Sequence, residues 1–173
     1  MLHNVTSDTL SQLRYIIYQL TDEEYTCKLN ILNKSSIGQH VRHVLEFYIC
    51  LSEGIHSGVV DYDKRTRNLS IENDPKFAIK LLDELSHIFC IESIEDKPLK
   101  NLIEFNGVKM VTDSSVGREM VYLIEHSVHH YAIIAITLRN DFNHIAMLSD
   151  FGVAYSTSKH KRGAEKELVH EDH

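Results

Sequence analysis

Residues 125–131 read EHSVHHY, which places three histidines within five positions of a strongly apolar stretch. On an α-helix with about 100° per residue, His126 and His130 lie one turn apart and about 40° from each other around the axis. This i, i+4 spacing lets two imidazoles reach the same metal ion, as in the HExxH helices of zinc proteins. The alternative is a pair of core histidines whose rings are satisfied by hydrogen bonds. A third ligand would favour the metal site, because a pair of ligands does not complete one.

A second segment rich in histidine, SIGQHVRH at residues 36–43, supplies candidates for that third ligand. Ser36 and Gln39 have the capping-box spacing that starts a helix by satisfying free backbone N–H groups. On the helix that follows, His40 and His43 both lie on the broad apolar side. Either ring could instead pack against a neighbouring helix, and periodicity does not choose between the two histidines as a ligand.

Glu119 is the candidate catalytic residue. It lies two helical turns before His126 on the same face, about 20° away around the axis. From there it could orient a metal ligand or transfer a proton. The alternative is an exposed carboxylate in the first turns of a helix. Within the polar connection 57–73, Asp63 and Arg65 could close over the site.

Four long helices are predicted to position these residues. The chain has only two prolines and seven glycines, which favours helices over a β fold with many turns. Apolar residues recur at three- and four-residue spacing in the first helix, and Pro75 suits the first turn of the third. Thr112 to Ser115 offer N-cap residues for the last helix. The predicted ranges are about 7–20, 36–53, 75–88 and 115–139.

These helices predict an all-α fold, a four-helix bundle with long connections. Residues 91–112 either contain a short hairpin around Asn106-Gly107 or form one long connection. A short fifth helix could form over Phe142–Leu148. We expect residues 1–155 to form one helical bundle domain and residues 156–173 to form a polar tail, with at least the last ten residues disordered.

Composition limits the classes of function. The formal net charge of −7 argues against a nucleic-acid partner, because phosphates are bound by clustered Lys and Arg. The start of the chain, MLHNVTSDTL, lacks the features of a signal peptide, and no apolar run reaches the roughly 18 residues of a membrane span. The three cysteines have no CxxC spacing, so neither a disulfide framework nor a zinc ribbon is predicted. We therefore expect a cytoplasmic protein that acts on a small molecule.

The segment SIGQHVRHVLE at residues 36–46 resembles the second-helix motif of the DinB-like (damage-inducible) family, whose members are regarded as metalloenzymes. In that family an Ile-Gly pair near the helix start is followed, five positions after the glycine, by a histidine. Counted from Gly38, this position is His43. The spacing His126-x-x-x-His130 resembles the later HxxxH pair of the family, and the likeness covers about residues 5–155.

The resemblance implies one divalent metal ion held in a four-helix bundle by His43, His126 and His130, and a homodimer. Imidazole ligands suit zinc or nickel best, and three protein ligands leave a position open for chemistry. Family members with established activity include thiol-dependent S-transferases, although this chain has Tyr131-Ala132 where many relatives have Arg-Gly. The expected function is a metal-dependent hydrolase or a thiol-dependent transferase. The competing class is a non-enzymatic, stress-related bundle that binds metal or mediates an interaction.

Overall fold

The computed structural model describes residues 2–90 and 96–160. Four long helices run where the sequence predicts them, and each extends beyond one of its predicted ends. Between the long helices, two short helices and a 3-10 turn were not predicted from the sequence, because pieces this short show no periodicity. The long helices are α1 Leu2–Gln19, α3 Ile37–Ser57, α5 Pro75–Cys90 and α6 Val116–Asp141, and the short ones are α2 Asp22–Thr26 and α4 Leu69–Asn73, with the 3-10 turn at Tyr62–Lys64.

Local sequence sets both ends of α3, the helix that carries His40 and His43. The Ser36 hydroxyl accepts a hydrogen bond from the Gln39 backbone N–H, and the Gln39 side chain accepts one from the Ser36 N–H. The predicted capping box is therefore confirmed. At the other end, Gly58 has a φ of 76°, the left-handed conformation that often follows a helix. The helix thus ends one turn later than predicted.

The fold is mixed, and the prediction of an all-α four-helix bundle is wrong. Three strands form one sheet in the order β1-β2-β3, with β1 parallel to β2 and β2 antiparallel to β3. The strand β1 has only three residues, and it depends on pairing with a partner far along the chain. Periodicity within one segment does not reveal such a pairing. The strands are β1 Val59–Asp61, β2 Pro98–Phe105 and β3 Val108–Ser115.

Strands β2 and β3 form a hairpin, so the hairpin alternative for residues 91–112 is confirmed over the described part of that range. Asn106 and Gly107 at its tip have φ values of 52° and 80°. Two consecutive positive φ angles match the twist of the flanking strands, and Asn-Gly adopts them readily. At the base of the hairpin, the Ser115 hydroxyl accepts a hydrogen bond from the Arg118 N–H and caps α6. The hairpin therefore leads directly into the helix that carries His126.

Two hydrogen bonds in the core fix the rotation of α6 against its neighbours. The hydroxyls of Tyr48 on α3 and Ser127 on α6 lie 3.2 Å apart, and both side chains are buried. The Tyr131 hydroxyl donates to the Thr9 carbonyl of α1 at 3.0 Å. Because buried hydroxyls require partners, these contacts hold one face of α6 in the core. The histidine face of α6 is consequently turned toward the start of α3.

The predicted fifth helix over Phe142–Leu148 is wrong, since these residues form a short turn, a bend and irregular chain. The segment that follows packs closely on α6. Phe151 stacks on Tyr131 with ring centroids 4.9 Å apart. Gly152 has a φ of 73°, and a Cβ at this position would lie 2.5 Å from the backbone N of Ala132. The close approach of the chain to α6 thus requires glycine there.

Residues 155–160 are helical, and the last ten residues, for which disorder was predicted, lie outside the described residues. The predicted domain boundary after residue 155 stays a prediction. Within the described ranges, none of the helices combines the length and apolar character needed to cross a membrane.

Candidate metal centre

Three histidines meet where α3 contacts α6. The Nε2 atoms of His43 and His126 lie 3.2 Å apart, and the Nε2 atoms of His126 and His130 lie 3.1 Å apart. All three rings offer a nitrogen within 4.8 Å of the other two, an arrangement compatible with a metal site. The structure therefore brings together the residues predicted as ligands. Their role in binding a metal stays a prediction.

The chemistry of this cluster fits one divalent ion. Zinc–nitrogen bonds of about 2.0–2.1 Å in tetrahedral geometry place two ligand nitrogens about 3.3–3.4 Å apart. The observed separations of 3.1 and 3.2 Å are close to that value. Hydrogen bonds alone satisfy the cluster less well, because Nε2 of His126 faces two other Nε2 atoms and has a single proton or lone pair to offer. One ion among the three nitrogens would satisfy them all.

Burial keeps the three imidazoles neutral near pH 7. Together with smaller effects of neighbouring histidines and of the positive charge of Arg65, it lowers the pKa of His43 and of His126 to about 4. Burial and the neighbouring imidazoles lower the pKa of His130 to about 3. A metal ion binds the neutral form of histidine, so these rings do not need to lose a proton first. All three residues are only partly buried, so the cluster retains some exposure to solvent.

Aromatic rings line one side of the cluster. The centroid of the Phe47 ring lies 4.8 Å from that of His43 and 4.4 Å from that of His126. Tyr122 stacks on His126 at 5.7 Å, and Tyr62 stacks on Phe47 at 4.8 Å. Contacts of this kind restrict the imidazole orientations and exclude water from that side.

Of the two residues predicted to close over the site, Arg65 lies beside it. The Arg65 Cζ is 5.2 Å from the centroid of Phe47, and its Nε is 3.4 Å from a carboxylate oxygen of Glu46. Glu46 is buried, so this ion pair anchors the connection that follows β1 onto α3. Asp63 has a different position, where its carboxylate accepts a hydrogen bond from the Glu104 backbone N–H at 3.1 Å.

Glu119 is completely buried at the start of α6, so the alternative of an exposed carboxylate is wrong. The Tyr62 hydroxyl donates to Oε2 at 2.8 Å, and the Arg118 guanidinium donates to Oε1 at 3.1 Å. The Ser114 hydroxyl and the Asn101 amide also donate to Oε1. Within the described ranges, no hydrogen bond joins Glu119 to the three histidines. Its contacts connect α6 to the hairpin and to the 3-10 turn, and its catalytic role stays a prediction.

His40, the other candidate on α3, also lies at the site. Its Nδ1 is 3.0 Å from Nδ1 of His130, on the edge of that ring that does not contact His126. Both histidines of α3 therefore contact the histidine pair of α6. Helical periodicity could not distinguish His40 from His43, because the difference depends on how α3 packs against α6.

Comparison with known proteins finds no matching family model and no matching solved structure. The chain is similar to FK506-binding protein 5 of Rhizopus delemar, with 33% identity over 110 residues. The similar region covers 59% of this chain and 27% of that protein. The chain thus spans about a quarter of the length of this curated relative.

Proposed function

We propose that this protein is a metal-dependent enzyme in which His43, His126 and His130 hold one divalent ion, with zinc and nickel as the best candidates. The observation that carries this proposal is the approach of the three side chains, with Nε2 separations of 3.1 and 3.2 Å across two helices. Three protein ligands on a partly exposed site are typical of catalytic metal centres, whereas structural centres are closed by a fourth ligand.

A bound ion would supply Lewis acidity, which polarises a substrate group and lowers the pKa of a coordinated water or thiol. The residues of the chain supply the surroundings for this chemistry. Neutral His43 and His126 have lone pairs available for ligation at pH 7. Phe47 and Tyr122 exclude water from one side of the imidazoles. The Arg65 guanidinium next to Phe47 attracts an anionic group of a substrate.

We also propose that the chain is a DinB-like protein, that it forms a homodimer and that it acts on a small molecule. Support comes from the Ile37-Gly38 pair at the start of α3, followed by His43, and from the HxxxH pair of α6. Two reactions suit such a site, namely hydrolysis and the transfer of a group to a low-molecular-weight thiol. Sedimentation velocity of the purified protein tests the homodimer.

Metal analysis of the purified protein tests the site itself. We expect about one divalent ion per chain in the wild type, since three imidazoles hold a single ion. His43→Ala and His126→Ala should each lose it. His87→Ala is the matched control, because His87 is exposed on α5 and lies outside the cluster. Wild-type protein that neither contains metal nor binds added zinc or nickel would contradict the proposal.

Activity assays of the metal-loaded protein then separate the classes of function. One set of substrates contains esters and amides, and the other combines small thiols with electrophilic acceptors. We expect turnover in one set, and its loss in His126→Ala. Full metal occupancy without turnover in either set would contradict the enzyme and support a non-enzymatic protein that binds metal or mediates an interaction.

A further inference from the structure

His40 contacts His130 on the ring edge that faces away from His126. The two Nδ1 atoms lie 3.0 Å apart, which is a hydrogen-bond distance. On the same imidazole, Nε2 of His130 lies 3.1 Å from Nε2 of His126. One nitrogen of His130 therefore belongs to the metal cluster, and its other nitrogen belongs to the contact with His40.

The position of the proton in this contact follows from ligation. A neutral imidazole carries one N–H group and one lone pair. To bind an ion, Nε2 of His130 must offer its lone pair, so the proton of His130 lies on Nδ1. The Nδ1–H group then donates to the Nδ1 lone pair of His40. His40 in turn carries its own proton on Nε2.

His130 differs from the other two cluster histidines in this respect. In the described parts of the chain, the hydrogen-bond contacts of the His43 and His126 rings involve Nε2 alone, whereas His130 also has a partner at Nδ1. The rings of His43 and His126 pack against Phe47, while the ring contacts of His130 are with other histidines. The orientation of His130 thus depends on its hydrogen bond more than that of the other two rings does.

The start of α3 holds the acceptor in place. His40 lies in the first turn, directly after the capping box of Ser36 and Gln39. This turn packs closely against α4. A Cβ on Gly38 would lie only 2.2 Å from the carbonyl oxygen of Glu72. Because the first turn of α3 is already held in place, the His40 ring loses little additional conformational freedom when it accepts a hydrogen bond.

We propose that His40 is a positioning residue that accepts a hydrogen bond from the Nδ1–H of His130 and so keeps the Nε2 lone pair of His130 directed at the ion. This inference rests on the proposed metal site. Partners of this kind fix the tautomer and orientation of a ligating histidine, and they are commonly carboxylates, carbonyls or water. A neutral imidazole in this role adds no negative charge, so the ion keeps more of its Lewis acidity.

Zinc affinity of the full-length protein, measured by competition with a chelator, tests the role of His40. His40→Phe keeps a ring but removes the acceptor, and we expect its zinc Kd to rise about 10–100-fold. His40→Gln retains an acceptor oxygen and should recover most of the loss. His129→Phe is the matched control, because the His129 ring contacts His130 with centroids 5.2 Å apart but forms no hydrogen bond with it. Its Kd should equal that of the wild type.

NMR of the isotope-labelled, zinc-loaded wild type tests the hydrogen bond without any substitution. We expect a proton on Nδ1 of His130 and a scalar coupling from it, through the hydrogen bond, to Nδ1 of His40. The absence of that proton, or an unchanged zinc Kd in a folded His40→Phe variant, would overturn the inference and leave the metal site intact. If the wild type binds neither zinc nor nickel, the proposed function itself fails, and the role of His40 fails with it.

Discussion

Single residues in this protein show how burial changes the chemistry of histidine. His126 and His130 face the same way because they lie one helical turn apart, and His43 joins them from 83 positions earlier in the chain. Within the interface, the rings have lost part of the water that would stabilise their protonated forms. The folded protein therefore favours neutral imidazoles, which are the form that binds a metal ion.

The lowered pKa values predict how the stability of the metal-stripped protein depends on pH. Unfolded histidine has its ordinary pKa of about 6.5, whereas the folded pKa values are about 4 for His43 and His126 and about 3 for His130. Between these values the unfolded chain binds more protons, so the free energy of unfolding falls as pH falls from about 6.5 to about 4. Urea denaturation in the presence of a chelator, at a series of pH values, measures this decrease.

A variant shows whether the cluster causes that decrease. His130→Gln removes the histidine with the lowest pKa of the three in the cluster, so the free energy of unfolding of this variant should vary less over the same pH range. His87→Gln, on the exposed side of α5, should vary as the wild type does. Equal pH dependence in all three proteins would contradict the assignment to the cluster.

Helix starts are the elements that position the site. The capping box of Ser36 and Gln39 sets where α3 begins, and Ser115 does the same for α6. Because side chains follow the helix at fixed angular steps, a start that is set by a cap also sets the direction of every ring on that helix. The absence of a side chain on Gly38 then lets the first turn of α3 lie against α4.

Gly38→Ala should destabilise the protein although alanine favours helices. The new Cβ would lie 2.2 Å from the Glu72 carbonyl oxygen and 2.8 Å from the Tyr25 ring, and neither can move freely. We expect the free energy of unfolding to fall by about 1–3 kcal/mol in urea denaturation.

Gly117→Ala on α6 is the matched control for that substitution. Its Cβ would lie 3.0 Å from a carboxylate oxygen of Asp96, which is the end of an exposed side chain. The Asp96 carboxylate, which accepts a hydrogen bond from the Gly117 N–H at 2.8 Å, can shift by the small amount needed, so we expect a loss of stability well below that of Gly38→Ala. Equal losses in the two variants would show that close packing at Gly38 is not the cause.

The three proposed metal ligands of the molecule lie on two helices that are distant in sequence, so metal binding should stabilise the entire fold. A ligand that binds only the folded state, at a free concentration about 100-fold above its Kd, stabilises a protein by about 2.7 kcal/mol. For a chain of this size we expect zinc to raise the Tm by roughly 5–10 °C. Thermal unfolding with and without zinc measures the shift. His126→Ala should show no such shift, and an equal shift in that variant would point to binding elsewhere.

Much of the fold and of the site was predictable from local pattern. Apolar periodicity indicated the four long helices, Ser36 and Gln39 indicated the capping box, and Asn106-Gly107 indicated a hairpin turn as one of two alternatives. These features depend on residues that are near one another in the chain. The short strand β1 was missed and the burial of Glu119 was left open, because each depends on partners from other elements.

The histidines of the site also divide into a pair that local sequence predicts and a choice that only packing decides. The spacing of His126 and His130 is a property of one helix, so the chain specifies that pair without any knowledge of the fold. Spacing within one helix does not decide between His40 and His43, since both lie on the apolar side of α3. Packing of α3 on α6 brings His43 to Nε2 of His126 and His40 to Nδ1 of His130. Distances between helices depend on the packing of the whole core, and no local pattern encodes them.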